Sequence, residues 1–205
     1  MPPTRAQPRA LTPCAYSTAE GMLERARLGA EERVLITGAS GGVGSAAVQL
    51  AKRRGAYVIA VCGEQKRDDV LALGADEVIA RGGNLVAALG ADSVDVVVDL
   101  VAGPQWPQLC EVLCRGGRYT VSGAIAGPLV ELDVRTLYLK DLTFLGCTWQ
   151  PRAVFENLIG YIERGEIRPL VAKSYPLEQI VEAQEAFMAK TFTGKLVLVP
   201  PQEKA

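Results

Sequence analysis

The chain contains no histidine among its 205 residues. That removes the imidazole base on which serine hydrolases depend, and with it the commonest metal ligand. Charge of either sign is scarce in excess: 22 Lys and Arg face 23 Asp and Glu, for a net charge of −1. No basic patch marks a nucleic-acid surface, so no nucleic-acid partner is expected. No apolar run is long enough to span a bilayer. The first residues, Met1 to Arg9, are rich in proline and arginine and lack the apolar stretch of a secretory signal, so residues 1–10 read as a loose leader. The five cysteines (Cys14, Cys62, Cys110, Cys114, Cys147) are an odd number, which suits reduced thiols and a cytoplasmic protein. Cys110 and Cys114 are one helical turn apart, but with Leu109 and Leu113 they read as the buried stripe of a helix. No further ligand is visible, so no metal is expected in this chain.

What the sequence has in abundance is glycine at one place. Val34-Leu-Ile-Thr-Gly38-Ala-Ser-Gly-Gly-Val-Gly44 runs directly into Ser45-Ala-Ala-Val-Gln-Leu-Ala-Lys52. An apolar β-type run ends in a glycine-dense turn, and the turn opens a helical pattern. This is the layout of a nucleotide phosphate site at the first strand-helix turn of a Rossmann fold. In register with G-x-G-x-x-G stand Ala39, Gly41 and Gly44. A small residue at Ala39 permits the tight turn, Gly41 lets backbone approach phosphates, and Gly44 lets the helix pack close to the strand. The unpaired N–H groups of the helix start and its partial positive charge would hold a diphosphate. Ala39, Ser40, Gly41, Gly42, Val43 and Gly44 are therefore candidate cofactor-binding residues.

Three rival readings of these letters fail. Gly38-Ala-Ser40-Gly-Gly42 fits a hydrolase nucleophile elbow, which needs the missing imidazole. An NTPase phosphate loop needs Lys after its glycines, and none follows until Lys52. Thr37-Gly38-x-x-x-Gly42-x-Gly44 resembles the cofactor turn of short-chain dehydrogenases, yet none of the six tyrosines has a lysine four residues on.

Alternation continues along the chain. Strands are expected at Val34–Thr37, Tyr57–Cys62, Glu77–Ala80, Val94–Leu100, Arg118–Ser122 and Leu142–Cys147. Helices are expected at Ala15–Leu28 (capped by Ser17 or Thr18), Gly42–Arg54, Gln65–Leu73, Asn84–Leu89, Pro104–Leu113 and Val154–Arg164. Strands such as Val94-Asp-Val-Val-Val-Asp-Leu100 are apolar on both faces, as in a parallel sheet covered on both sides. The expected fold is α/β, a doubly wound parallel sheet of order 3-2-1-4-5-6 with helices on both faces, over residues 11–165. Residues 166–205 change rhythm: Ile167–Ser174 extended, Leu177–Lys190 helical, Lys195–Val199 a strand.

From about Ala10 to Pro200 the chain resembles the cofactor-binding half of a medium-chain dehydrogenase/reductase, of the quinone oxidoreductase and zinc-type alcohol dehydrogenase kind. The matching pieces are Tyr16-Ser-Thr-Ala-Glu20, Gly38 to Gly44, Leu73-Gly-Ala-Asp76, Asp95-Val-Val-Val-Asp99, Gly116-Gly-Arg118 and Thr193-Gly-Lys-Leu-Val-Leu-Val199. The resemblance implies an oxidoreductase transferring hydride to or from a small-molecule quinone, enone, aldehyde or alcohol. Family members carry a catalytic domain ahead of the matched region, which this chain has no room for. The expectation is an excised domain or a shortened protein, weakly active alone, with the alternative a non-enzymatic NAD(P)-binding module or redox sensor. In the family the tail returns to that domain, so Arg168–Ser174 and Gly194–Val199 are expected to lack their usual partners. The edge strand near 142–147 implies a homodimer.

An NAD enzyme places a carboxylate at the end of strand two. Here Val61-Cys62-Gly63 offers none, and Lys66 and Arg67 follow as partners for a 2′-phosphate. NADP is favoured, with NAD open because Glu64 is adjacent. Ligands of such sheets lie off the strands' carboxyl ends, which adds Gly63, Leu100, Val101, Ser122, Gly123 and Ala124 as cofactor contacts. Leu145 to Cys147, Tyr16 and Thr18 are weaker candidates, and Tyr138 and Lys140 are conceivable proton donors. No catalytic residue can be named.

Overall fold

The computed structural model describes residues 12–201; the leader expected at residues 1–10 lies outside them. Six parallel strands form one sheet in the order β3-β2-β1-β4-β5-β6. They are β1 (Arg33–Ile36), β2 (Tyr57–Cys62), β3 (Glu77–Ala80), β4 (Val94–Asp99), β5 (Leu113–Val121) and β6 (Thr143–Gly146). The order is the one expected, and the architecture is a Rossmann-type α/β fold.

The pleat explains why these strands are apolar throughout. Val34, Ile36, Val58, Ala60, Val96 and Val98 point to one face, under helices Ser17–Arg25, Gly42–Arg53 and Arg152–Glu163. Leu35, Ile59, Val61 and Val97 point to the other, with Leu85, Trp106, Leu109 and Tyr119. Successive side chains alternate between two covered layers, so no position is left for a polar face. Each large aliphatic fully buried in this way contributes on the order of 1.5–3 kcal/mol. Trp106, Tyr119 and Phe144 close the second layer with edge-to-face ring contacts at 5.3–5.8 Å between centroids.

Local details differ from the sequence reading. The first helix is Ser17–Arg25, preceded by a π-turn at Thr12–Tyr16, and no side chain caps it; Ser17 Oγ instead donates to the Cys14 carbonyl at 3.4 Å. The helix expected to run to Leu113 stops at Val112, so Leu113 and Cys114 belong to β5 rather than to a helical stripe. The Cys114 thiol donates to Asp95 at 3.4 Å. A short helix at Val134–Leu139 has no counterpart in the sequence reading; Asp133 caps it, accepting from Arg135 N at 2.9 Å.

Beyond the sheet, β7 (Val171–Pro176) and β8 (Lys195–Val199) flank the helix Ile180–Ala189. The segments expected to lack their usual partners are not left as open edges: they pair with each other, in parallel, from Val171–Lys195 to Pro176–Val199, which counts against that expectation. The connecting helix is long enough to return the chain for a parallel pairing, so two segments expected to wait for another domain form a ladder of their own.

Candidate functional site

The carboxyl ends of β1, β2, β4 and β5 meet at one edge of the sheet. After β1, Gly38 adopts φ +61°, a conformation a side chain would strain. Gly41 precedes the helix Gly42–Arg53, whose first internally bonded amide is Ser45 N, 2.8 Å from the Gly41 carbonyl. The amides of Gly42, Val43 and Gly44 have no carbonyl of their own helix to reach and point out of its start. Gly44 is there for close packing: a Cβ would lie 2.6 Å from Ala39 Cα and 2.7 Å from the Gly38 carbonyl carbon.

The loops after β4 and β5 are drawn onto this turn by one buried carboxylate. Asp99 has no exposed surface. It accepts from Thr37 Oγ1 at 2.5 Å, from Tyr119 OH at 2.6 Å, from Val101 N at 2.9 Å and from Ala102 N at 3.1 Å. Thr37 Oγ1 in turn accepts from Leu100 N at 2.9 Å. Burial first, then the bond to this carboxylate, pushes the Tyr119 hydroxyl far above its usual range and keeps it a donor. The loop so pinned includes Ala102 at φ +52°, a strained value for a non-glycine residue that surrounding bonds must hold. A Cβ on Gly38 would touch Val101 at 3.3 Å, and one on Gly123 would lie 2.8 Å from the Leu100 carbonyl. Leu100, Val101, Ser122 and Gly123 are thus brought beside the glycine turn, with Ser122 N donating to Asp99 O at 3.2 Å and exposed Ala124 at the outer rim.

At the end of β2, Gly63 and Lys66 share a turn, Lys66 N donating to Gly63 O at 2.9 Å. Arg67 goes elsewhere: its guanidinium donates to the Val78 carbonyl on β3 at 2.7 Å. Arg81 takes the neighbouring place, since a Cβ on Gly63 would fall 3.1 Å from its Nη2. Partial burial, followed by the positive charges of Arg81 and Lys190, lowers the Lys66 ammonium below its ordinary value. Lys66 and Arg81 thus stand close together at the end of β2.

The tail completes the site. Gly194 N donates to the Ser40 carbonyl at 3.0 Å, and Thr193 Oγ1 to Asp69 at 2.8 Å. The aliphatic arm of Lys195 lies across Gly42, where even a Cβ would have no room. The arm of a lysine therefore crosses the helix start that presents its first amides.

A family model described as zinc-binding dehydrogenase matches residues 42–164. The chain belongs to that family. This places it in the medium-chain dehydrogenase/reductase superfamily expected from its motifs. Acryloyl-coenzyme A reductase of Metallosphaera sedula is 34% identical over 200 residues, covering 96% of this chain and 60% of that protein. A crystal structure from Sinorhizobium meliloti 1021, provisionally assigned as an alcohol dehydrogenase, is 55% identical with a TM-score of 0.87, covering 92% of this chain and 54% of that one. The 2-octenoyl-CoA carboxylase reductase CinF, solved with NADP and 2-octenoyl-CoA, is 28% identical with a TM-score of 0.86, covering 95% and 50%. The chain thus spans 60% of that curated relative and about half of the solved structures.

In this family member Tyr16 and Cys147 are packed into the core, while Lys140 and Tyr138 lie on the stretch that leads into β6. Tyr16 is a buried strut, 1% exposed, bonded to Gln49, Arg168 and Leu170. Lys140 lies at the amino ends of the strands: its ammonium donates to the Cys110 and Glu111 carbonyls at 3.1 and 2.8 Å and pairs with Asp92 at 2.9 Å. Tyr138 is 60% exposed on the short helix before β6. Cys147 is buried, its N–H on the Val121 carbonyl at 2.9 Å. Among the described residues no group of three or more His, Cys, Asp or Glu is placed to hold a metal. No described helix is long and apolar enough to cross a membrane. Arg81, Lys190 and Lys195 were missed by sequence reasoning; Thr193-Gly194-Lys195 was visible only as part of the family resemblance.

Proposed function

We propose that this chain is the NADP(H)-binding part of an oxidoreductase that moves hydride between the coenzyme and a small carbonyl, quinone, enone or alcohol. The carrying observation is the helix start at Gly42 with Lys195 laid across it, which matches a diphosphate in charge and in backbone donors. Lys66 and Arg81 at the end of β2 favour a 2′-phosphate, and hence NADP over NAD. Leu100 to Ala102 and Ser122 to Ala124 would line the remainder of the dinucleotide. When bound, the nicotinamide supplies the hydride; the protein's part is to orient it and exclude water from one side. The names of two relatives, an acryloyl-CoA reductase and a reductase bound to 2-octenoyl-CoA, favour an activated carbon–carbon double bond as the acceptor.

Titration with NADPH and NADH, followed by thermal shift, tests the reading. Saturation at about 100 times Kd adds about 2.7 kcal/mol, which for a chain of this size raises Tm by roughly 5–10 °C. Flat responses to both coenzymes would refute it. We further propose a homodimer through β6, which is the edge strand of the sheet among the described residues; exposed Ile125, Leu129 and Leu139 lie in the segments before it. Light scattering at a monomer mass would overturn that. The cysteines of the described residues are all free, in keeping with a proposed cytoplasmic location.

A further inference from the structure

The strand that carries Lys195 is tied to the phosphate-binding helix at two separated points. One tie is local: Gly194 N on the Ser40 carbonyl. The other lies two turns along the helix, at Gln49. Its side-chain amide donates to Tyr16 OH at 3.0 Å, and its carbonyl accepts from Arg168 N at 2.9 Å. Tyr16 OH accepts a second bond, from Leu170 N at 3.1 Å, and donates to the Arg168 carbonyl at 3.3 Å. The hydroxyl's one donor and two acceptor sites are all used. Leu170 then hands the constraint on, because its carbonyl accepts from Lys195 N at 3.2 Å and its side chain would leave a Cβ on Gly194 only 2.8 Å of room.

From this connected chain of contacts we infer that Tyr16 and Gln49 are positioning residues, which set Lys195 over the amides of Gly42 to Gly44 through Leu170. The inference rests on the coenzyme reading above. It makes Tyr16, a buried side chain, a determinant of how tightly the diphosphate is held. Burial keeps the hydroxyl un-ionised, its pKa pushed up to about 12, so the device is insensitive to physiological pH. A cation displaced by an ångström loses a charge-assisted bond, which is the sensitivity the arrangement exploits.

The test compares wild type, Tyr16→Phe, Lys195→Met and the double variant, each titrated with NADPH and with adenosine 2′-monophosphate, which has no diphosphate. Lys195→Met is expected to weaken NADPH about tenfold or more. Tyr16→Phe is expected to weaken it about threefold to tenfold, and neither should change adenosine 2′-monophosphate binding beyond about twofold. The double variant should be no weaker than Lys195→Met alone, because the two act through one contact. Equal losses for both ligands in Tyr16→Phe, additive losses in the double variant, or an unchanged NADPH affinity would each overturn the inference. Should Tyr16→Phe fail to fold, Gln49→Leu removes the same brace and is read by the same criteria. A wild type that binds neither ligand would sink the coenzyme reading itself, whereas wild-type binding with an indifferent Tyr16→Phe sinks only the positioning role.

Discussion

Replacing Asp99 by alanine strands four donors in the centre of the sheet: the hydroxyls of Thr37 and Tyr119 and the amides of Val101 and Ala102. Each buried donor left without a partner costs about 1–3 kcal/mol. The two hydroxyls can rotate toward other acceptors or toward water admitted to the new space. The two amides cannot, since they belong to a loop whose backbone is already strained at Ala102. Two amides alone give about 2–6 kcal/mol, a large part of the roughly 5–15 kcal/mol that holds such a domain together. We expect Asp99→Ala to lose about 3–5 kcal/mol in urea unfolding and roughly 10 °C in Tm. Asp99→Asn keeps Oδ1 for Thr37 and the two amides. Its Nδ2, however, replaces the oxygen that accepts from Tyr119 OH and, at 3.2 Å, from Ala102 N, so Tyr119 must turn from donor to acceptor and Ala102 keeps only its Oδ1 bond. Its cost is about 1–2 kcal/mol. NADPH binding should fall in step, because the released loop is the one that packs on Gly38. An alanine variant within about 1 kcal/mol of wild type would show that the carboxylate does not organise the loop.

Gly44→Ala gains helix propensity, but its methyl group meets backbone rather than a side chain that can move aside. The clash prevails, at a cost of about 1–3 kcal/mol and with loss of coenzyme binding; an equally stable variant by urea melt would contradict the packing role. Lys66→Ala combined with Arg81→Ala should reduce the ratio of NADPH to NADH affinity at least about tenfold, a difference of about 1.4 kcal/mol, while NADH binding stays nearly constant; fluorescence titration of both coenzymes decides it. Asp76 is drawn below its ordinary 3.8: burial alone would raise it, but the Lys52 ammonium at 2.6 Å and the Val58 amide at 2.8 Å outweigh burial. Its stabilisation is therefore complete above the ordinary carboxylate range and is lost as pH falls through the depressed folded value. Urea melts should show wild type ahead of Asp76→Asn at neutral pH, and the gap closing near pH 3; a gap that persists in acid would reverse the sign.

The sheet order was legible because alternation of apolar runs and helices admits few right-handed arrangements. The glycine turn was legible because Gly38 needs its positive φ and Gly44 leaves no room for a Cβ against the Gly38 and Ala39 backbone. Errors came where the same letters serve two structures. Leu109, Cys110, Leu113 and Cys114 have helical spacing, yet the backbone is already extended at Leu113, which pairs with Val94, and Gly116 at φ +75° lies in the irregular stretch before Arg118 pairs with Val96. Arg67 was named because it follows the end of strand two in sequence; the Val78 carbonyl on β3 claims its guanidinium, and pairing of the Arg81 amide with the Cys62 carbonyl brings Arg81 to the end of β2. Lys195 lies far down the chain from the turn it crosses, and only the β7–β8 ladder explains its arrival. Tyr16 was proposed for the right general region, but its role depends on Leu170 and so could not be read locally.

Because Thr193 to Lys195 settle on a turn formed more than a hundred and fifty positions earlier, the site is finished by a late-emerging stretch of polypeptide. During synthesis, when amino-terminal parts organise first, the parallel layers between Arg33 and Gly146 are all present before the covering cation arrives. A nascent chain stalled ahead of Thr193 would carry the glycine turn without the Gly194 amide and the Lys195 arm that lie on it.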